Sequence, residues 1–131
     1  MSDSLDVALA IPILDGKLLV MRRAAGSHLE GTWEFPGGKV EAGEAPATAA
    51  GRELQEETGL RAPDLEPFLV LVHEYPERSV RLHVFLVREP GGAVQMDRPR
   101  EWAWKSLAEL SELEMPAANA RILRALRSGL V

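Results

Sequence analysis

The chain has 131 residues, 46% of them hydrophobic and 27% charged, which is typical of a single globular domain, here expected to span residues 1–131. Its formal net charge of -5 argues against binding nucleic acid through the phosphate backbone, because that mode needs a basic surface. The absence of cysteine excludes disulfides, thiol nucleophiles and thiolate zinc sites, so any metal ion must bind oxygen or histidine.

The N-terminal segment MSDSLDVALAIPIL lacks the basic start and the small-residue cleavage site of a secretion signal. No apolar run in the sequence approaches the roughly 20 residues of a membrane span. We therefore predict a cytoplasmic protein without a membrane partner.

A β-hairpin is the first predicted element. The apolar runs 5–14 and 17–23 flank the turn dipeptide Asp15-Gly16. Pro12 has no N–H to donate to a ladder, so we expect a bulge or a sheet edge at that position. The glycine-rich segment 24–43 then predicts a loop, and its length indicates a functional role.

The next predicted element is a helix over residues 47–58. Pro46 suits the first turn of a helix, and Gly59 suits the left-handed position just past its end. The later part of the chain predicts a half-buried second hairpin, a short strand, a short helix that begins with a capping box, and a final helix. These elements lie at 65–75 with 79–89, at 102–104, at 106–109 and at 117–127. Mixed strands with helices between and after them predict an α/β or α+β layered sandwich.

Three carboxylates are crowded into the predicted helix over 47–58. Glu53, Glu56 and Glu57 share one face and repel each other. A divalent cation would turn this repulsion into shared attraction, and magnesium prefers such oxygen ligands together with phosphates. Arg52 is placed to hold a carboxylate by a charge-assisted hydrogen bond. The same run could also be an acidic, solvated helix face, but the glycine loop before it favours the metal site.

The spacing of this loop and helix resembles the Nudix box. The matching residues are Gly38, Glu44, Arg52-Glu53-Leu54, Glu56-Glu57 and Gly59-Leu60. The resemblance implies a Nudix fold, which is an α/β/α sandwich around a mixed β-sheet. It also implies hydrolysis of a nucleoside diphosphate linked to another group, with magnesium or manganese as the cofactor and water attacking phosphorus.

Four stretches, which carry the resemblance across nearly the whole chain, are similar to the MutT-type members of this family. They are Arg22-Arg23-Ala24-Ala25, the segment 33–41, Glu74-Tyr75-Pro76-Glu77-Arg78 and Pro116-Ala117-Ala118-Asn119. This resemblance implies cleavage of an oxidised purine nucleotide such as 8-oxo-dGTP to a monophosphate and pyrophosphate. CTP or dCTP is the alternative substrate within the class.

The resemblance also implies roles for individual residues. Arg52, Glu53, Glu56 and Glu57 would be the catalytic residues, with Glu53 as the general base. The metal would be held by the Gly37 carbonyl with Glu53, Glu56 and Glu57. The nucleotide would be bound by Arg23, Glu34, Phe35, Pro36, Gly37, Gly38, Tyr75, Arg78 and Asn119.

Some alternatives stay open at this point. Asn119 could instead cap the last helix, and Tyr75 could simply pack beside a turn. A further metal-binding glutamate of MutT-type proteins, counted back from Trp104, falls on Arg98, so Asp97 or Glu101 would have to replace it. A non-catalytic nucleotide sensor is the alternative of another class. The oligomeric state is open, and a monomer is compatible with the sequence.

Overall fold

The computed structural model describes residues 4–129, in which seven strands and three helices form a layered fold. The ends of the expected domain, residues 1–3 and 130–131, lie outside the described residues. The elements are β1 Ser4–Leu14, β2 Lys17–Arg22, β3 Trp33–Glu34, β4 Gly37–Lys39, α1 Pro46–Thr58, β5 Glu66–Glu74, β6 Ser79–Arg88, β7 Trp102–Lys105, α2 Leu107–Leu110 and α3 Ala117–Gly129. Across residues 4–129, no helix has the length and apolar content needed to cross a bilayer.

The strands form one mixed sheet in the order β3-β2-β1-β6-β5, with β4 paired to β1 and β7 paired to β2. β1 runs parallel to β6 from Ser4 opposite Ser79 to Ile13 opposite Arg88. The pairings of β1 with β2 and of β5 with β6 are antiparallel. Both predicted hairpins and the predicted short strand at Trp102 are therefore confirmed.

The expectation of a bulge or sheet edge at Pro12 is wrong. β1 lies inside the sheet, and its register with β6 is continuous through Pro12. On the other side of β1, β4 pairs with residues 7–9 and β2 pairs only from Ile13 onward. The Ala10 N–H already points to that side, where it donates to the Pro36 carbonyl at 3.0 Å. By strand alternation the proline nitrogen faces the gap between the two ladders, where no N–H is needed.

Side-chain alternation along β1 places the two helical layers on opposite faces of the sheet. Ala8 and Ala10 pack with residues of α1, whereas Leu9 and Ile11 pack with residues of α3. On α1 the buried side chains are Ala49, Ala50, Leu54 and Thr58, and on α3 they are Ala118, Ile122, Leu123 and Leu126. The predicted α/β/α sandwich around a mixed sheet is confirmed.

Strand β6 of the second hairpin is more deeply buried than its sequence pattern predicts, whereas β5 has no fully buried residue. β6 buries Leu82, Val84 and Leu86 on the face toward α3, as its alternation indicates. It also buries Phe85 and Val87 on the face toward α1. The reason is that β6 lies between β1 and β5, where helices cover both faces.

Helix α1 begins and ends as its sequence predicts. Pro46 occupies the first turn, and Gly59 adopts φ 77° while its N–H donates to the Gln55 carbonyl at 2.9 Å. The segment 24–43, by contrast, is not entirely loop, since β3 pairs with β2 and β4 pairs with β1. Strands of two and three residues are too short to show a sequence period.

Candidate active site

Two glycines bring the carboxylates of α1 against the sheet. A Cβ on Gly37 would overlap the Leu9 side chain and the Ala8 carbonyl oxygen, so only glycine lets β4 pair so closely with β1. A Cβ on Gly38 would overlap the Glu53 carboxylate. The glycine pair therefore allows the Glu53 carboxylate to lie directly against the β4 backbone.

Arg52 forms hydrogen bonds with three of the carboxylates of the site. Its Nε and Nη2 donate to both oxygens of Glu44, at 2.8 and 3.0 Å. Its Nη1 donates to Glu53 at 3.3 Å and to Glu56 at 3.1 Å. The hydrogen bonds from Arg52 and from the Glu41 N–H lower the pKa of Glu44 to about 2. The predicted role of Arg52 as a carboxylate holder is visible here, but its main partner is Glu44.

Glu57 is the most desolvated carboxylate of the helix. Burial raises its pKa to about 7, although the Gly37 N–H donates to its Oε1 at 3.0 Å and opposes that shift. Burial also raises the pKa of Glu53, against the lowering effect of Arg52. Because the pKa of both neighbouring carboxyl groups is raised, a bound cation would stabilise their charged forms.

The residues present fit a divalent cation of the hard, oxygen-binding class. Glu53 and Glu57 lie against the two glycines, while the Glu56 side chain is 58% exposed and turned to Arg52. Within residues 4–129 no three His, Asp or Glu side chains already form a ready ligand set. The observation that supports a cation here is that two partly buried carboxyls, both with a raised pKa, are held against the glycine pair.

A second feature of the site is a cavity of about 340 Å³ on the α3 side of the sheet. The cavity is lined mainly by apolar side chains, which include Leu9, Leu29, Phe35 and Leu82. Tyr75 and Asn119 also line it. The Asn119 Oδ1 accepts a hydrogen bond from the Phe35 N–H at 3.2 Å. A mostly apolar cavity with a few polar groups is the usual form of a small-molecule site.

The alternative that Asn119 caps the last helix is wrong. α3 begins at Ala117, so Asn119 is its third residue, and the Ala120 N–H donates to the Pro116 carbonyl at 2.9 Å. The side chain reaches instead across to the backbone before β4.

The predicted nucleotide-binding residues divide into those that line the cavity and three that do not, namely Pro36, Gly38 and Arg78; Gly38 lies against the Glu53 carboxylate. Arg23, Glu34, Phe35, Gly37, Tyr75 and Asn119 line the 340 Å³ cavity. Pro36 is buried, and its carbonyl accepts from Ala10 in the sheet. Arg78 is exposed in the turn between β5 and β6, where its carbonyl accepts from the Tyr75 N–H at 2.9 Å.

Sequence reasoning missed Arg100. Its Nη2 donates to Glu34 Oε2 at 3.1 Å, and Arg23 Nη1 donates to Glu34 Oε1 at 2.8 Å, so one carboxylate joins two guanidinium groups. Arg100 is 66 residues from Glu34 in the chain, and no local pattern connects them. The partnership of Arg52 with Glu44 was also missed, although both residues belong to the same spaced motif.

The segment before β7 carries the candidates for a further metal ligand. Glu101 binds Arg22 at 2.8 Å, and both side chains are exposed. Asp97 lies nearer the carboxylate helix, because its N–H donates to the Glu57 carbonyl at 3.0 Å. Of the two, Asp97 is thus the better placed, and its role as a ligand stays a prediction.

Comparisons with known proteins identify the family of the chain. The family model described as NUDIX domain matches residues 4–126. The 8-oxo-dGTP diphosphatase of Escherichia coli K12 is 35% identical over 113 residues, covering 86% of this chain and 88% of that protein. The CTP pyrophosphohydrolase of the same strain is 35% identical over 121 residues, covering 92% of this chain and 90% of that protein.

Solved structures give the same result for the fold. The solution structure of the E. coli ORF135 protein matches with a TM-score of 0.85 at 32% identity, covering 97% of this chain and 91% of that one. With the family model spanning almost every described residue, the chain belongs to the NUDIX domain family.

Proposed function

We propose that this protein is a nucleoside triphosphate diphosphatase that uses a divalent cation, magnesium first and manganese as a substitute. It releases a nucleoside monophosphate and pyrophosphate, and an oxidised purine nucleotide such as 8-oxo-dGTP is its leading substrate. The observation that carries the proposal is the position of the desolvated carboxyls of Glu53 and Glu57 on the Gly37-Gly38 strand, which leads into the Asn119 cavity.

In this proposal each residue of α1 has a separate task. Glu53, Glu56 and Glu57, with the Gly37 carbonyl, would hold the cation, which supplies charge neutralisation and polarisation of the phosphates when bound. Arg52 keeps Glu53 and Glu56 in place through its bidentate anchor on Glu44. The oxygen of a water attacks phosphorus, the bridging P–O bond breaks, and a glutamate takes the water proton. Glu53 is our choice for that base, because the more buried Glu57 carboxyl is tied to the Gly37 N–H.

Asn119 is the group proposed to recognise the base. Because its Oδ1 accepts from the Phe35 N–H, its amide NH₂ is left to donate to a ligand in the cavity. Guanine offers the O6 acceptor to such a donor. Arg23 and Glu34 flank the same cavity, and Tyr75, a residue that is 39% exposed, lies at its wall.

CTP or dCTP is the second candidate substrate. The 35% identity to a CTP pyrophosphohydrolase equals the identity to the 8-oxo-dGTP diphosphatase. Cytosine also carries acceptors that an amide N–H can reach, so Asn119 alone does not separate the two bases. Another nucleoside diphosphate derivative remains a further alternative within the family.

Release of pyrophosphate from 8-oxo-dGTP, dGTP, CTP and dCTP, in MgCl₂ and in EDTA, tests the proposal. We expect hydrolysis only with the cation, and the highest kcat/KM for 8-oxo-dGTP. Equal values for 8-oxo-dGTP and dGTP would reject the oxidised-purine preference while leaving the hydrolase intact. Tight nucleotide binding without any hydrolysis would favour the non-catalytic sensor. The cytoplasmic location, the single-domain organisation, the oligomeric state and the lack of a nucleic-acid partner stay predictions.

A further inference from the structure

A second cleft opens beside Glu34 and shares two lining residues with the Asn119 cavity. It has a volume of about 150 Å³ and is lined by Arg23, Ala24, Ser27, Glu34, Arg98 and Arg100. Arg23 and Arg100 both bind the Glu34 carboxylate, at 2.8 and 3.1 Å. Two guanidinium charges thus share one carboxylate. The cleft is therefore locally positive, although the protein as a whole has a net charge of -5.

Arg98 adds a third guanidinium to this cleft. Its side chain is 72% exposed, and within residues 4–129 its one ion pair is with the neighbouring Asp97, at 3.8 Å. A pair that long and that exposed contributes little, so the guanidinium can turn toward a ligand. Arg100, in contrast, is 11% exposed and fixed by Glu34 and by the Arg22 carbonyl. The cleft therefore combines a rigid cationic wall with one adjustable arginine.

The cleft lies between the two parts of the candidate active site. Arg23 and Glu34 line both this cleft and the Asn119 cavity. On the other side, Asp97 donates its N–H to the Glu57 carbonyl at 3.0 Å, and Gln95 donates to Thr58 at 2.7 Å. Arg98 follows directly after this pairing with the end of α1. A phosphate chain that runs from the nucleoside cavity toward the carboxylates would therefore pass within reach of the Arg98 guanidinium.

We propose that Arg98, with Arg23 and Arg100, forms a subsite for the terminal phosphates of a nucleoside triphosphate, which leave as pyrophosphate. This inference rests on the proposed function. Guanidinium groups form paired, charge-assisted hydrogen bonds with phosphate oxygens. The exposed Arg98 side chain lines the same cleft as the arginines held by Glu34, so it can add a direct cationic contact to a phosphate there.

The test is calorimetric titration of the protein, in MgCl₂, with sodium pyrophosphate and separately with a nucleoside monophosphate. The variants are Arg98→Ala, Arg98→Lys and Arg98→Glu, and Arg127→Ala, an exposed arginine on α3, is the matched control. We expect Arg98→Ala to raise the Kd for pyrophosphate about tenfold, the loss typical of one charge-assisted contact. Arg98→Lys should lose less pyrophosphate affinity than Arg98→Ala, and Arg98→Glu should lose more. The Kd for the monophosphate should stay unchanged in all three variants, as should both Kd values of the control.

Three results would overturn the subsite. They are no measurable pyrophosphate binding by the parent protein, equal pyrophosphate affinity in the parent and Arg98→Ala, and an equal loss for both ligands. If the parent hydrolysed none of the four nucleotides, the proposed function would fail instead. The pyrophosphate titration needs no turnover, and therefore still decides the subsite.

Discussion

The Gly37 N–H donates a hydrogen bond to the Glu57 carboxylate at 3.0 Å, across 20 residues of chain. This hydrogen bond connects the last turn of α1 to β4, the strand that begins with Gly37 and Gly38. It holds the Glu57 carboxyl in a partly buried place where ionisation is unfavourable without a cation. The free protein thus keeps one carboxylate in a position that weakens its own fold.

Replacing Glu57 by Gln should separate stability from activity. The amide keeps an oxygen for the Gly37 N–H but removes the desolvated charge, so in EDTA the free energy of unfolding should rise by roughly 1–3 kcal/mol at neutral pH. In MgCl₂ the parent Tm should rise while the variant Tm stays unchanged, because a bound ligand stabilises the state that binds it. Pyrophosphate release should fall at least about 100-fold.

Thermal melts with and without MgCl₂ check this prediction, and Glu112→Gln, an exposed glutamate after α2, is the control. A magnesium-dependent rise in Tm of the same size in Glu57→Gln and in the parent would contradict the assignment of Glu57 as a metal ligand.

Gly38→Ala should reduce turnover without unfolding the protein. The added methyl group would overlap the Glu53 carboxylate and push that side chain away from β4. Displacement of a catalytic group by about 1 Å lowers rates by about 100-fold. Gly51→Ala is the matched control within α1, since its methyl group would only touch Leu65 at 3.4 Å. Steady-state kinetics of both variants decide the point, and full activity of Gly38→Ala would show that Glu53 need not lie against the strand.

Glu44→Gln should lower the Tm at neutral pH, and the difference from the parent should shrink in acid. The pKa of Glu44 is about 2 in the folded protein, below its ordinary 4.5, because Arg52 and the Glu41 N–H bind the charged form. A lowered pKa stabilises the fold fully above about pH 4.5, and this stabilisation is lost as the pH falls from 4.5 towards 2. Melts of the parent and variant at neutral pH and at about pH 3 measure the change. A Tm difference that grows in acid would contradict the sign.

Asn119→Asp and Asn119→Ala should differ in what they lose. Asp keeps an oxygen for the Phe35 N–H but has no NH₂ to donate, so its Tm should stay near that of the parent while its preference for 8-oxo-dGTP over dGTP disappears. Ala leaves the Phe35 N–H without this acceptor, which costs about 1–3 kcal/mol in addition. The kcat/KM values for both nucleotides, with melting curves, test this. An unchanged preference in Asn119→Asp would rule out base recognition by Asn119.

Local rules predict the elements of this fold but not its long-range partners. Helix α1 follows from Pro46, Gly59 and the residues between them, because propensity and capping act within a few residues. The expectation for Pro12 fails because a proline nitrogen can also face a gap between two ladders, and only the strand order reveals such a gap.

The candidate site shows the same division. The spacing of the motif predicts that Arg52, Glu53 and Glu57 act together, since an acidic turn after a glycine loop has a defined chemistry. It does not show that Gly38 makes room for the Glu53 carboxylate, or that Arg100 completes a triad with Arg23 and Glu34. These contacts depend on how strands far apart in the chain are placed in the sheet.

Four alanines lie at the interface between α1 and the sheet. Ala8 and Ala10 on β1 meet Ala49 and Ala50 on the helix, and all four are fully buried. Side chains this small let the helix axis approach the strands as closely as a packed interior allows. A larger residue at any of these four positions would lift the helix as a rigid body, and Glu53 and Glu57 would move with it. The distance between the acidic groups and the glycines is therefore set inside the core, so substitutions that never meet a nucleotide should still change the rate of its cleavage.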